Sequence, residues 1–575
     1  MADPLSTLIP VFRAAIGAAY GAEHSAVDPM IRTSQHADYQ ANAALGLAKA
    51  LKKAPRDVAT AIAAQLPAVP GGDAIERTEV SGPGFINLWL RDEALDRALV
   101  ESDATLGLHR PAHAERVVID YSGPNVAKEM HVGHLRSTIL GDALARIFEA
   151  LGHTVIRQNH LGDWGTNFGM LIEHLIDIGA DELDASIRDL NAFYQAARQK
   201  FDGDPAFADR ARQRVVSLQS GDSETLEHWR VLIESSRRYM AKVYEALDVT
   251  LTDNDIAGES LYNPMLEMGV EELLSKGLAI EDDGAICVFP PGFVGRDDRP
   301  LPLIVRKREG GYGYATTDVC AVKYRTGTLE GTRLLYVIGA PQAQHLAMVF
   351  KTAQLAGWLA PPARAEHVMF GSVLGPDRKM FKTRSGETVR LLDLLDEAVA
   401  RALVVVEEKS PELDAETRAA VARAVGIGCV KYADLSSDRV KDYVFDLDRM
   451  ISFEGNTGAY LQYACARPRS ILRRANADVP LASTVAVKAP AERALAMKLL
   501  AFPTALAEVE QTLQPHKLCG YLYDLATAFS AFFESCPVLK ADEATKASRL
   551  ALCDRTARTL ARGLDLLGIR APERM

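Results

Sequence analysis

The sequence predicts a doubly wound α/β domain interrupted by a helical insertion, with an α+β domain before it and an all-α bundle after it. Three observations carry that reading. A short apolar strand at 117–121 runs through a Gly/Pro turn into His131 and His134, which open a long segment with helical apolar spacing. The strand pattern recurs at 154–159, and the strand–helix–strand alternation returns at 334–373, so one parallel sheet is split and then resumed. After Thr388 the pattern is almost wholly helical.

Taken in order, helical patterns cover 5–20, 42–52 and 56–66. Alternating strands at 75–80 and 85–90 flank the Gly82-Pro83-Gly84 turn, and a helical pattern at 93–106 closes this first unit. The stretch 108–111 reads as a linker. Beyond the first strand–helix–strand unit, helices dominate between about 170 and 250, for example 183–198 and 225–247, which is too long for a βα connection. A β-like stretch follows at 278–289, then a strand at 334–338, a helix at 342–355 and a strand at 367–373. The C-terminal helices span 492–513, 518–533 and 541–567, with a polar connection at 476–490. The expected boundaries are 1–110, 111–170, 171–300 for the insertion, 301–388 for the second half of the sheet domain, and 389–575.

A chain of 575 residues is too long for one hydrophobic core. Its net charge of -11 argues against a protein that coats nucleic acid non-specifically, although a local basic face remains open. The seven cysteines are scattered without CxxC spacing, so neither a zinc knuckle nor a disulfide framework is indicated, and a reducing cytosol fits. No apolar run reaches membrane-spanning length, and the first residues lack the pattern of a secretory signal. A cytoplasmic protein is expected.

A strand, a tight turn and a helix N-terminus together make a phosphate site, because backbone N–H groups and the helix dipole both point at the ligand. His131 and His134, three residues apart on the first turn, would face that ligand together. Capping or solvated surface is the plainer account of two such histidines. A zinc pair is disfavoured, since no thiol or carboxylate set lies nearby in the sequence.

The His131-Val132-Gly133-His134 run resembles the HIGH signature of class I aminoacyl-tRNA synthetases. Its surroundings, YSGPNVAKEMHVGHLRSTILGD and RQNHLGDWGTNFG, are similar to the arginyl-tRNA synthetase family. So are SGPGFINLWL, EDDGAICVF, GYATTDVCAVKYR, FKTRSGETVRL, FEGNTGAYLQYACARPRSI and LLGIRAPERM, in that order along most of the chain. The resemblance implies a Rossmann-type catalytic domain that joins L-arginine to its tRNA through an arginyl-adenylate, with ATP and Mg2+ as the substrate complex and no protein-bound structural metal. It implies an N-terminal tRNA-contacting domain and a C-terminal anticodon-binding bundle; a monomer is expected.

By the same resemblance His131, His134 and Gly133 bind ATP. The KMSKS signature is divergent here, reading Asp377 to Gly386, with Lys382 the first choice for a catalytic lysine, then Lys379 and Arg384. In such enzymes a lysine just before HIGH supplies phosphate charge, and Lys128 stands there. Asn125, Glu259, Tyr314, Asp318 and Gln342 match arginine-contacting positions. Carboxylates suit that role because they meet a planar guanidinium bidentately, which lysine cannot copy. Arg467 and Arg473, with Arg469 and Arg474 after Tyr460 and Tyr463, form a basic cluster suited to RNA. In the N-terminal domain Phe85 and Asn87 are the candidate tRNA contacts. Two positions depart from the family pattern: Gly123 stands where a serine is common, and Pro341 replaces an acidic residue in the GADQxxH motif, with Gln342 and His345 retained.

Two other readings share part of this pattern. A small-molecule adenylyltransferase would have the HxGH turn and the sheet, but little need for two large flanking domains. A non-catalytic synthetase-like RNA-binding protein would be expected to have lost His131, His134 or Lys128, and all three are present.

Overall fold

The computed structural model describes residues 4–34, 36–179, 190–295, 298–308, 310–375, 377–379, 389–475 and 485–575. They form two compact units, one of residues 110–452 with 566–569, the other of 1–109 with 453–565 and 570–575.

The first unit is built on a four-stranded parallel sheet, in spatial order Arg364–His367, Arg333–Tyr336, Arg116–Asp120, Thr154–Gln158. The two central strands are buried almost throughout, as their unbroken Val-Val-Ile and Leu-Leu runs require of strands covered on both faces. The last strand ends at His367 rather than running on to 373. The chain keeps one bridge to Gly339 at Phe370, and Val373–Leu374 then pairs with Tyr443–Val444 in a separate ribbon. Gly371 permits this departure, because a Cβ there would lie 2.7 Å from the Lys441 backbone.

The helix Val132–Ala150 is more deeply buried than an amphipathic stripe would be, with 14 of its 19 residues inside. Its buried polar residues find partners within the protein. Arg136 pairs with Asp434 at 3.2 Å and donates to the Lys441 carbonyl, and Asp142 accepts from the Thr250 backbone at 2.8 Å. Gly141 lets the helix lie directly on Tyr121. The helices Leu391–Lys409 and Ala415–Leu435 belong to this same unit, so it extends past the change of pattern at 388 to Ser452. The β-like stretch becomes a hairpin, Ala279–Asp282 and Ala285–Val288, with a third strand Leu303–Arg306 beside it. Its two-residue turn, Asp283-Gly284, takes positive φ at both positions, as tight hairpins require.

The second unit holds a four-stranded antiparallel sheet and nearly all of the C-terminal helices. Two of its strands, Ile31–Thr33 and Tyr39–Ala41, are three residues each, too short to show alternation in the sequence. N-terminal and C-terminal segments are joined by arginines. Arg493 donates to Asp38 at 2.6 Å and to the Leu90 carbonyl at 2.7 Å, and Arg555 donates to Ser102 at 2.7 Å. The expected helix at 492–513 is two helices, Pro490–Leu500 and Phe502–Thr512. Pro503 causes the break: it has no N–H, and its ring clashes with the carbonyl four residues back.

Candidate active site

After the first strand the chain turns sharply, with Ser122 and Gly123 at φ of 71° and 52°. The left-handed backbone favours the glycine found at 123. The turn is tied down by a buried set of side chains. The Ser122 hydroxyl lies 2.9 Å from the Tyr244 hydroxyl, Asn159 Nδ2 donates to that same Tyr244 oxygen, and the Gly123 N–H donates to Asn159 Oδ1. Asn125 bridges Gly162 on the neighbouring loop, and a Cβ at 162 would meet its Oδ1 at 2.4 Å.

His131 caps the helix. Its Nδ1 accepts from the Gly133 N–H at 3.0 Å, while the His131 N–H donates to His134 Nδ1 at 3.1 Å. The imidazoles are 4.1 Å apart between centroids. Burial lowers the pKa of each, most of all that of His134, to about 3, and Lys128 lowers both further. Both rings are therefore neutral, and because each Nδ1 accepts, each proton sits on Nε2. The pair is two neutral N–H donors at a helix start, which suits phosphate oxygens.

Residues 389–391 lie beside this pair. The Val132 N–H donates to the Val389 carbonyl, the Leu391 N–H to the Met130 carbonyl at 3.0 Å, and Arg390 pairs with Glu129 at 2.9 Å. Lys379 is exposed. Lys382 and Arg384 lie outside the described residues.

A second cluster is acidic. Glu259 opens the helix Glu259–Ser275, its N–H donating to the Leu161 carbonyl at 3.0 Å. Burial, then Asp163, then Asp318 push its carboxyl up to about 8. Asp163 is held by the Ser260 N–H and hydroxyl at 2.9 and 2.6 Å. Asp318 accepts from His345 Nε2 at 2.6 Å, and the His345 ring meets Tyr314 edge-on at 4.8 Å. Tyr314 is 65% exposed, on the same helix as Asp318. Gln342 and Pro341 are exposed on a single 3-10 turn, whose first positions tolerate a proline. Asp163 and His345 occur in the motifs quoted from the sequence, but only the fold shows what each touches. Like-charged carboxylates gathered beside an exposed tyrosine and a partly buried histidine form a cluster whose mutual repulsion a cationic side chain would relieve.

In the other unit Asn87 is buried, and its amide accepts from Gln40 at 2.8 Å and donates to Ser81 at 3.1 Å. Those bonds cross-brace the sheet and leave little of Asn87 to meet an RNA. Phe85 is half-buried. On the helix Gly458–Ala475, Arg467 stacks over Phe533 at 4.6 Å. Arg473 donates to the Glu573 carbonyl at 3.3 Å, and Arg469 to Ala571 and Pro572 at 3.4 Å, so these two clamp the chain's last residues.

A parallel sheet whose central strand Arg116–Asp120 leads into a histidine-capped helix, with residues 389–391 meeting that cap, is an arrangement of class I aminoacyl-tRNA synthetases. The family described as class I (R) tRNA synthetases, catalytic domain, matches residues 95–447; the DALR anticodon-binding domain matches 461–575 and the arginyl-tRNA synthetase N-terminal domain 6–90. The chain is 57% identical to the arginine–tRNA ligase of Thermobifida fusca over 580 aligned residues, covering 100% of both, and 52% identical to that of Frankia casuarinae, covering 96% of each. Among solved structures, arginyl-tRNA synthetase from Plasmodium falciparum aligns with a TM-score of 0.83 at 28% identity, over 99% of both chains. The Thermus thermophilus enzyme gives 0.81 at 27%, over 99% of this chain and 100% of that one. The chain belongs to the arginyl-tRNA synthetase family.

Proposed function

We propose that this enzyme joins L-arginine to its cognate tRNA at the expense of ATP, releasing AMP and pyrophosphate. The observation that carries the reading is Glu259, a carboxyl raised to about 8 by burial and by two neighbouring aspartates. A guanidinium placed among Glu259 and Asp318 relieves that repulsion, with Tyr314, Asn125 and Gln342 shaping the rest of the pocket. Lysine and ornithine carry charge without the planar fork and pair less well. A pocket whose buried polar groups are left unpaired by a wrong amino acid discriminates strongly.

The chemistry requires no nucleophile from the protein. The arginine carboxylate attacks the α-phosphorus of ATP, and pyrophosphate leaves. A terminal ribose hydroxyl of the tRNA then attacks the adenylate carbonyl, and AMP leaves. What the side chains supply is position and charge. His131 and His134 donate through Nε2 to phosphate oxygens, Gly133 allows close approach of the nucleotide, and Lys128 adds positive charge with Lys382 and Lys379 of the loop. Magnesium enters with the ATP phosphates as part of the substrate. Arg467, Arg473 and Phe85 are the RNA contacts we propose, and each keeps some exposed surface. Among the described residues no helix is long and apolar enough to cross a membrane. A cytoplasmic monomer is the state we propose.

ATP–pyrophosphate exchange, run over all amino acids with and without tRNA, tests the assignment. Arginine-dependent exchange is expected. Exchange that needs no amino acid, or that lysine drives, overturns it.

A further inference from the structure

Two helices of the insertion reach the turn that carries Lys128. The Nζ of Lys128 lies 4.0 Å from the centroid of the Tyr194 ring, which comes from the insertion helix Leu190–Gly203. Lys128 has no ion-pair partner among the described residues; the adjacent Glu129 is engaged by Arg390 instead. The backbone beside it is pinned by a second insertion helix, Ser223–Leu247. Ala127, in left-handed conformation at φ 57°, donates its N–H to Ser236 Oγ at 2.9 Å. The two imidazoles feel the ammonium, since its charge adds to burial in holding them neutral.

We propose that Tyr194 is a positioning residue that holds the Lys128 ammonium aimed for the ATP phosphates. The proposal rests on the reading of Lys128 as a phosphate-binding cation. A carboxylate in Tyr194's place would fix the ammonium equally well but would cancel its charge. The face of an aromatic ring attracts a cation through its quadrupole, leaves the full charge available, and yields to a phosphate oxygen, whose pull is stronger. The insertion thus supplies both a backbone pin and a side-chain rest for a loop that the parallel sheet alone does not fix.

The test is steady-state ATP–pyrophosphate exchange on the full-length enzyme with tRNA present, comparing Tyr194→Leu, Tyr194→Phe, Lys128→Ala and the Lys128→Ala/Tyr194→Leu double variant. Tyr194→Leu is expected to lower kcat/KM for ATP by roughly 3- to 30-fold, the range of one cation–π contact, with the KM for arginine unchanged. Tyr194→Phe keeps the ring and is expected to stay within about twofold of the parent, which separates ring electrostatics from folding. In the Lys128→Ala background Tyr194→Leu adds nothing. Wild-type or faster exchange by Tyr194→Leu, an additive double variant, or an equal loss for arginine overturns the proposal. Near-normal exchange by Lys128→Ala removes the phosphate role of Lys128 and the proposal with it. A crippled Lys128→Ala with a normal Tyr194→Leu removes only the role of Tyr194.

Discussion

Asp318 and Glu259, 59 positions apart in sequence, share one acidic pocket, and the charge of Asp318 helps to raise the Glu259 carboxyl to about 8. Asp318 itself is oriented by His345 at 2.6 Å. On the proposed reading Glu259 meets the guanidinium as a carboxylate, so the proton that a pKa of about 8 leaves on it at neutral pH departs on binding. The sign follows: arginine affinity rises with pH up to about 8 and then levels, and binding releases a proton. Titration calorimetry in two buffers of different ionisation enthalpy reads that proton directly. Glu259→Gln is expected to abolish the proton release and to weaken arginine binding. A pH-independent affinity in the parent enzyme would remove the pairing from the mechanism.

The histidine pair behaves in the opposite sense. His134 has its pKa lowered to about 3, and that of His131 is lowered too, so neither gains a proton across the neutral range. The expected profile of kcat/KM for ATP has no limb near the ordinary histidine value of about 6.5 that these residues cause. His134→Asn removes the Nε2 donor and should lower exchange by roughly 100-fold without moving the profile. A limb near that pH in the parent that vanishes in His134→Asn would show that the charged imidazolium is the working form.

The histidine-capped turn was legible in the sequence because its parts are local: a strand, a turn and a helix start within some twenty positions leave a readable pattern. The acidic end was legible only through resemblance, since Asp163, Glu259, Asp318 and His345 come from four separate segments and no periodicity links them. Glu259 fell within the stretch read as insertion, yet its helix starts on the loop that follows the second sheet strand, through the Leu161 carbonyl. The helix Val132–Ala150 was read from apolar spacing at three- and four-residue steps, which does not reveal that Arg136 and Asp142 are buried as well. Their partners, Asp434 and Thr250, lie more than 100 positions away. Asn87 shows the converse: a polar residue on a strand looks available until its amide is seen bonded on both sides.

Asp318→Asn keeps the shape of the pocket and the contact to His345 but removes one charge. The KM for arginine is expected to rise by about 100-fold, in line with the loss of a charge-assisted bidentate pair, while the KM for ATP changes little. Steady-state exchange with each substrate varied in turn measures both. Equal losses for arginine and ATP would place Asp318 in the general architecture of the fold rather than in the amino-acid pocket.

The Arg136–Asp434 pair decides how the histidine helix is held. Both side chains are essentially fully buried, Arg136 also donates to the Lys441 carbonyl, and its guanidinium lies over the Tyr443 ring at 5.1 Å. Removing only the carboxylate leaves a buried guanidinium without its counter-charge, which costs about 3–5 kcal/mol where such pairs have been broken. Asp434→Ala is therefore expected to lower the denaturation midpoint markedly. The Arg136→Met/Asp434→Leu double variant removes both charges and should recover much of that stability, because two apolar side chains have no desolvation penalty to offset. Chemical denaturation of the parent and the two variants, with unchanged m values, makes the comparison. If the double variant is as unstable as Asp434→Ala, the pair contributes through the Arg136 hydrogen bond to Lys441 and its packing on the Tyr443 ring rather than through charge compensation.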